Sequence, residues 1–141
     1  MPLLEIQNLA TTFPTETGEA RAVDDVTLSV DKGKVLGIVG ESGCGKSITS
    51  LSILRLVPPP GRIASGKILL DGVDLLSLPE SQMRAVRGNR IALIPQDPMT
   101  SLNPVYKIGD QIMEAIELHQ KLSRKEARQK AIEALESVRI P

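Results

Sequence analysis

The sequence has 141 residues, 41% hydrophobic and 24% charged, the profile of a globular domain or part of one. Seventeen basic residues balance seventeen acidic ones, so no net field draws nucleic acid or an anionic membrane. One Phe, one Tyr and no Trp leave an aliphatic core, and the single cysteine, Cys44, excludes an internal disulfide and fits a reducing compartment. No stretch approaches the roughly 20 apolar residues of a membrane span, and Met1–Glu5 lacks a basic segment ahead of an apolar block, so a cytosolic protein without a secretory signal is expected.

Leu4 and Ile6 alternate with Glu5 and Gln7, which predicts a strand with one buried face. Val26, Leu28 and Val30 alternate with Thr27, Ser29 and Asp31 and predict a second, followed by a turn at Asp31-Lys32-Gly33. Val35-Leu36-Gly37-Ile38-Val39 is apolar on both faces, the pattern of a strand buried in a mostly parallel sheet. Helical spacing of Ile48, Leu51 and Leu54 starts at Lys46 and stops at Pro58-Pro59-Pro60. Ile68 and Leu70 precede Asp71-Gly72, a strand and its turn. Ile91-Ala92-Leu93-Ile94 predicts another buried strand, ended by Pro95. After Pro104 the spacing becomes helical at Ile108, Ile112, Ala115 and Ile116. A capping-box pattern at Ser123 and Glu126 then leads into Ala127, Ala131, Leu135 and Val138. Thirteen of the last 35 residues are charged, with signs interspersed, which marks solvated helix faces. The chain is thus expected to be β-rich to about residue 97 and helical from about 107 to 141.

Between the apolar run and the first predicted helix lies GESGCGKS, Gly40 to Ser47, which fits the phosphate-binding pattern G-x-x-x-x-G-K-[ST]. Gly40, Gly43 and Gly45 admit backbone conformations closed to other residues, so successive N–H groups can turn toward phosphate oxygens. The helix that follows presents its positive end to the same oxygens. Lys46 supplies a charge for the β- and γ-phosphates, and the Ser47 hydroxyl supplies a ligand for Mg²⁺. The competing possibility is an incidental Gly-rich turn; a strand before the loop and a helix after it argue against that. Cys44 reads as a small filler, because a thiolate catalyst needs a partner base. The only histidine, His119, is remote in sequence and falls in the charged helical segment, as a surface residue.

Together with Ala22-Val23-Asp24-Asp25-Val26, SGKILLDGVDL at 65–75 and, most specifically, IPQDPMTSLNP at 94–104, this loop makes the sequence resemble the ATP-binding subunits of ABC transporters. The similarity is strongest to the oligopeptide, dipeptide and nickel importer branch and extends over the whole chain. It implies an α/β P-loop NTPase fold of ABC type: an N-terminal antiparallel β portion, the P-loop core, and the start of a helical subdomain, truncated before the signature motif. It implies ATP and Mg²⁺ as ligands. Phe13 would stack on adenine where the family usually has Tyr, although a strand-end core role for this ring stays open. Gly40, Glu41, Ser42, Gly43, Cys44, Gly45, Lys46, Ser47 and Ile48 would surround the nucleotide, with Ser47 and Gln96 at the metal. Gln96 would also orient the attacking water, a catalytic role, and its loop would couple the site to the membrane subunit.

The implied partners are a second ATP-binding subunit, identical or not, and integral membrane permease subunits, with no nucleic acid. The implied location is peripheral, on the cytoplasmic side of the cell membrane. The implied function is ATP binding and hydrolysis driving uptake of peptides or a related solute. Further features of the family are an LSGGQ-type signature, an apolar strand ending in Asp-Glu and a switch histidine, and none is among these 141 residues. Asp71 and Asp74 sit in a turn ahead of Gln96, in the wrong order to replace that strand. The resemblance therefore implies a little over the first half of a domain, with strands short of neighbours and no ATP turnover by the 141 residues alone. A soluble ABC ATPase not tied to transport and a non-enzymatic remnant are the alternatives.

Overall fold

Local turn chemistry and alternation build the first part of the molecule. The computed structural model describes residues 2–97 and 101–140; Pro98, Met99 and Thr100, at the centre of the 94–104 run, lie outside the described residues, as do Met1 and Pro141. Two units are distinguished, Met1–Met83 and Arg84–Pro141.

In the first unit, β1 (Leu4–Thr15), β2 (Gly18–Val30), β3 (Arg62–Leu70) and β4 (Val73–Asp74) form an antiparallel sheet in the order β2-β1-β3-β4. β1 and β2 are longer than the alternation alone predicts, because pairing continues to Thr15↔Gly18 across the two-residue turn Glu16-Thr17. Ile6, Leu9 and Ile68 are fully buried, while Val26, Leu28 and Val30 are half-buried between exposed neighbours. Asp71 (φ 47°) and Gly72 (φ 79°) join β3 to β4 with two left-handed residues, the backbone twist that a tight hairpin of this kind requires.

The β1–β2 ladder is not regular. Thr11 pairs with Val23 and Thr12 with Arg21, so Ala22 is an extra residue on β2, a bulge. Helix α1 (Lys46–Ile53) and helix α2 (Glu80–Val86) complete the connections. The sequence pattern does not reveal α2: seven residues make two turns with little periodicity, and its start depends on the Pro79 carbonyl accepting from Gln82 N (3.0 Å) and Met83 N (3.1 Å).

In the second unit, α3 (Ile108–Gln120) and α4 (Arg124–Ser137) pack through Met113, Ala127 and Ala131, with Ile112 and Ile116 against them. The capping box forms as its spacing predicts: Ser123 N donates to Glu126 Oε2 (2.9 Å) and Glu126 N to Ser123 Oγ (3.4 Å). Hydrogen bonds from the Ser123 side chain and backbone hold the Glu126 carboxyl below its ordinary range. Val138, expected on the packed face, is exposed at the helix end.

Two expected strands do not form. Residues 35–39 are unpaired, with Val35 99% and Val39 94% exposed. Residues 91–94 make one isolated bridge, Arg87↔Ile91, and Ile94 is 90% exposed. A strand apolar on both faces needs neighbours on both edges and cover on both sides. No strand among the described residues pairs with either run.

Candidate phosphate-binding site

Gly45 caps α1 in the left-handed region (φ 93°). Thr49 N (2.8 Å) and Thr49 Oγ1 (3.0 Å) both donate to Gly45 O, closing the first turn. The N–H groups of Lys46, Ser47 and Ile48 precede that first intrahelical bond, so they are directed out of the helix at its positive end. Such a terminus favours an anion.

The terminus is held to the sheet at two points. The bulged Ala22 turns its carbonyl toward Gly45 so closely that a Cβ there would overlap the oxygen and lie 3.3 Å from the carbonyl carbon. Only glycine fits, by conformation and by space. The second tie is a buried hydroxyl pair. Ser52 Oγ donates to Ile48 O (2.7 Å), which leaves Thr11 Oγ1 as the donor to Ser52 Oγ (2.8 Å). This chain of bonds fastens α1 to β1.

Lys46 Nζ curls over the loop and donates to Gly40 O and Glu41 O, both at 2.6 Å, and lies 3.4 Å from Cys44 Sγ. Cys44 packs against Gly40, where a Cβ would meet its sulfur at 2.6 Å. The loop is therefore folded around its own ammonium group, with the Gly40 and Glu41 carbonyls satisfied by Lys46 and the Cys44 N–H turned back onto Glu41 O (3.3 Å). Gly40 to Cys44 and Ser47 are exposed, and Lys46 and Ile48 half-buried. A compact cation beside three convergent N–H donors can hold a phosphate chain, so the donor set fits a nucleoside triphosphate.

Alternation places Phe13 on the same face of β1 as Thr11, the face that meets α1. Phe13 pairs with Ala20, two residues along β2 from Ala22, or roughly 7 Å of strand. The half-buried ring also packs over Gly61, where a Cβ would meet its Cζ at 2.6 Å, beside Val57. Gln96 is exposed and belongs to the second unit, whereas the loop belongs to the first. His119 departs from the expected surface position: it is half-buried, its Nε2 3.1 Å from where a Cβ on Gly88 would stand, and the bare glycine supplies the space. Thr11 and Ser52 carry no motif, and the run that begins at Ala22 does not reveal what its carbonyl meets, so the role of these three residues in fixing the loop is invisible in sequence. No helix among the described residues is long and apolar enough to cross a membrane.

Known proteins resemble this chain in sequence and in fold. It is 53% identical over 139 residues to the probable peptide ABC transporter ATP-binding protein y4tR of Sinorhizobium fredii, covering 98% of this chain and 42% of the relative. It is 51% identical over 140 residues to the oligopeptide transport ATP-binding protein OppD of Bacillus subtilis, covering 99% of this chain and 39% of that protein. It is 48% identical over 141 residues to the dipeptide transport ATP-binding protein DppD of Escherichia coli, covering 100% and 43%. The chain thus spans less than half the length of these curated relatives. The fold is that of the ATP-binding cassette MJ0796, solved as a dimer in a post-hydrolysis state bound to ADP and Pi, with a TM-score of 0.82 at 21% identity over 94% of this chain and 56% of that one. A family model described as ABC transporter matches residues 23–141, and the chain belongs to the ABC transporter family.

Proposed function

We propose that the chain supplies the nucleotide-binding loop of the ATP-binding component of an ABC import system, coupling ATP binding and hydrolysis to uptake of peptides or a related solute. The carrying observation is the loop itself: Gly45 seated on the bulged Ala22, three helix-terminal N–H groups, and Lys46 Nζ at 2.6 Å from Gly40 O and Glu41 O. The similarity to y4tR, OppD and DppD, which are named for peptide, oligopeptide and dipeptide transport, supports the peptide class of solute.

In this reading Lys46 meets the β- and γ-phosphates from a position its own loop already holds, so little reorganisation precedes binding. The N–H groups of Lys46, Ser47 and Ile48 donate to the phosphate oxygens, and Gly40, Glu41, Ser42, Gly43 and Cys44 wrap them. Phe13 offers a ring face to adenine. The Ser47 hydroxyl would hold Mg²⁺, and the resemblance assigns the Gln96 amide oxygen to the same ion and to orienting the attacking water. Mg²⁺, when bound, neutralises charge that develops on the β- and γ-oxygens.

Residues 1–97 form the β-rich and loop-bearing part of the nucleotide-binding domain in this proposal, and residues 107–141 the start of its helical subdomain. The partners are a second ATP-binding subunit and integral membrane permease subunits, with the protein peripheral on the cytoplasmic side. In the family, hydrolysis also needs the Glu that ends the later apolar Asp-Glu strand and a signature motif from the opposing subunit, and neither motif is among these 141 residues. Without those two groups, these 141 residues by themselves are expected not to turn over ATP.

The test is Lys46→Ala. Removing the charge paired with the phosphates should abolish measurable ATP binding, a cost of about 2–5 kcal/mol. A calorimetric titration giving unchanged ATP affinity would overturn the assignment.

A further inference from the structure

The end of β1 and the turn that follows α1 meet at one side chain. Thr11 pairs with Ile63 and Thr12 with Arg62, so the next step along the two strands brings Gly61 opposite Phe13. The Phe13 ring leans over that glycine. A Cβ on Gly61 would overlap the ring's Cε1 and lie 2.6 Å from Cζ and 2.8 Å from Val57 Cγ1. Ring and valine thus share the space that a side chain at position 61 would fill. Gly61 has no left-handed φ, so its conformational freedom is not what the turn uses. It supplies room. The turn beneath is firm, because Gly61 N donates to Pro58 O (2.9 Å) and three successive prolines have φ fixed by their rings.

Phe13 is also the only aromatic residue of the first unit, so any stacking on a base there falls to this ring. A ring at the end of a strand can turn among rotamers, and ordering it on binding cancels part of what stacking gains. Gly61 and Val57 fix it before a ligand arrives. We propose that Gly61 is a positioning residue: its bare Cα, beside Val57, sets the orientation in which Phe13 presents a ring face to the base of the nucleotide. The proposal rests on the reading of Phe13 as the stacking ring and adds the seat that orients it. A methyl group at position 61 pushes the ring off this seat. It leaves the phosphate donors alone, since these lie at the end of α1 opposite to Val57.

The test is a double-mutant cycle on the full-length protein, read by titration with Mg-ATP and with inorganic triphosphate. Gly61→Ala should weaken ATP binding about tenfold, within the range of one base stack, and leave triphosphate binding unchanged. In a Phe13→Ala background the added methyl group meets no ring, so Gly61→Ala should change the affinity of neither ligand. Wild-type ATP affinity in Gly61→Ala, equal weakening of both ligands, or the same loss in both backgrounds overturns the proposal. If Gly61→Ala failed to fold, Val57→Ala, which only removes atoms, would decide by the same criteria. It should weaken ATP about threefold, the cost of ordering one freed side chain, with triphosphate unchanged and no effect in the absence of the ring. Failure of the underlying reading looks different: Phe13→Ala would then bind ATP as the wild type does, and the proposal falls with it.

Discussion

Ile6 in β1 and Val35 ahead of the phosphate loop are both β-branched aliphatic residues in extended runs, yet Ile6 is 0% and Val35 99% exposed. The difference lies in what each run needs from the rest of the chain. β1 finds its partner across the two-residue turn Glu16-Thr17, at a small cost in loop closure, and β3 pairs on its other edge. An alternating strand needs cover on one face only. Residues 35–39 are apolar on both faces and suit a parallel sheet, whose partners arrive only through crossover connections of a dozen or more residues. A period-2 pattern is thus met by local pairing, whereas a continuous apolar run is a demand for remote strands.

The phosphate loop directly follows the second of these regions, and the structure ties it to the first. Gly45 should therefore be the most sensitive position. Gly45→Ala places a methyl group on the Ala22 carbonyl and forces a non-glycine residue to φ 93°, which together should cost about 2–6 kcal/mol and remove ATP binding. Gly43→Ala has a similar φ of 84° with open space around it, so only the conformational part, about 1–3 kcal/mol, should appear. Urea unfolding of the two variants measures the gap, and equal losses would show that the Ala22 bulge does not seat the loop.

The comparison itself is broken or upheld by a matched pair. Ile6→Ala should cost about 2–5 kcal/mol as a buried truncation. Val35→Ala in the 141-residue protein should stay within about 0.5 kcal/mol, the range of exposed positions. Comparable destabilisation would mean that residues 35–39 are packed in solution.

For Phe13 the expected effect falls on binding rather than on folding. Phe13→Ala should weaken ATP binding by about 1–3 kcal/mol if the ring stacks on the base, and leave inorganic triphosphate binding unchanged. Equal weakening of both ligands would assign the ring to its packing on Gly61 and Val57 instead.

The features legible in the sequence are those whose determinants lie within a few residues of each other. The Asp71-Gly72 turn, the Ser123–Glu126 capping box, the helical onset at Lys46 and the glycine-lysine loop each depend on neighbours in the chain, so spacing alone reveals them. The family resemblance was equally legible, because runs such as 40–47 and 94–104 carry chemistry in fixed order. Tertiary structure alone decided which backbone lies opposite which. It set the Ala22 carbonyl against Gly45 and joined the Thr11 hydroxyl to Ser52. It also left Val35 in solvent while burying Ile6. Composition and period state what a segment can bury. Whether a partner arrives depends on pairing between distant parts of the chain, and no local pattern records that.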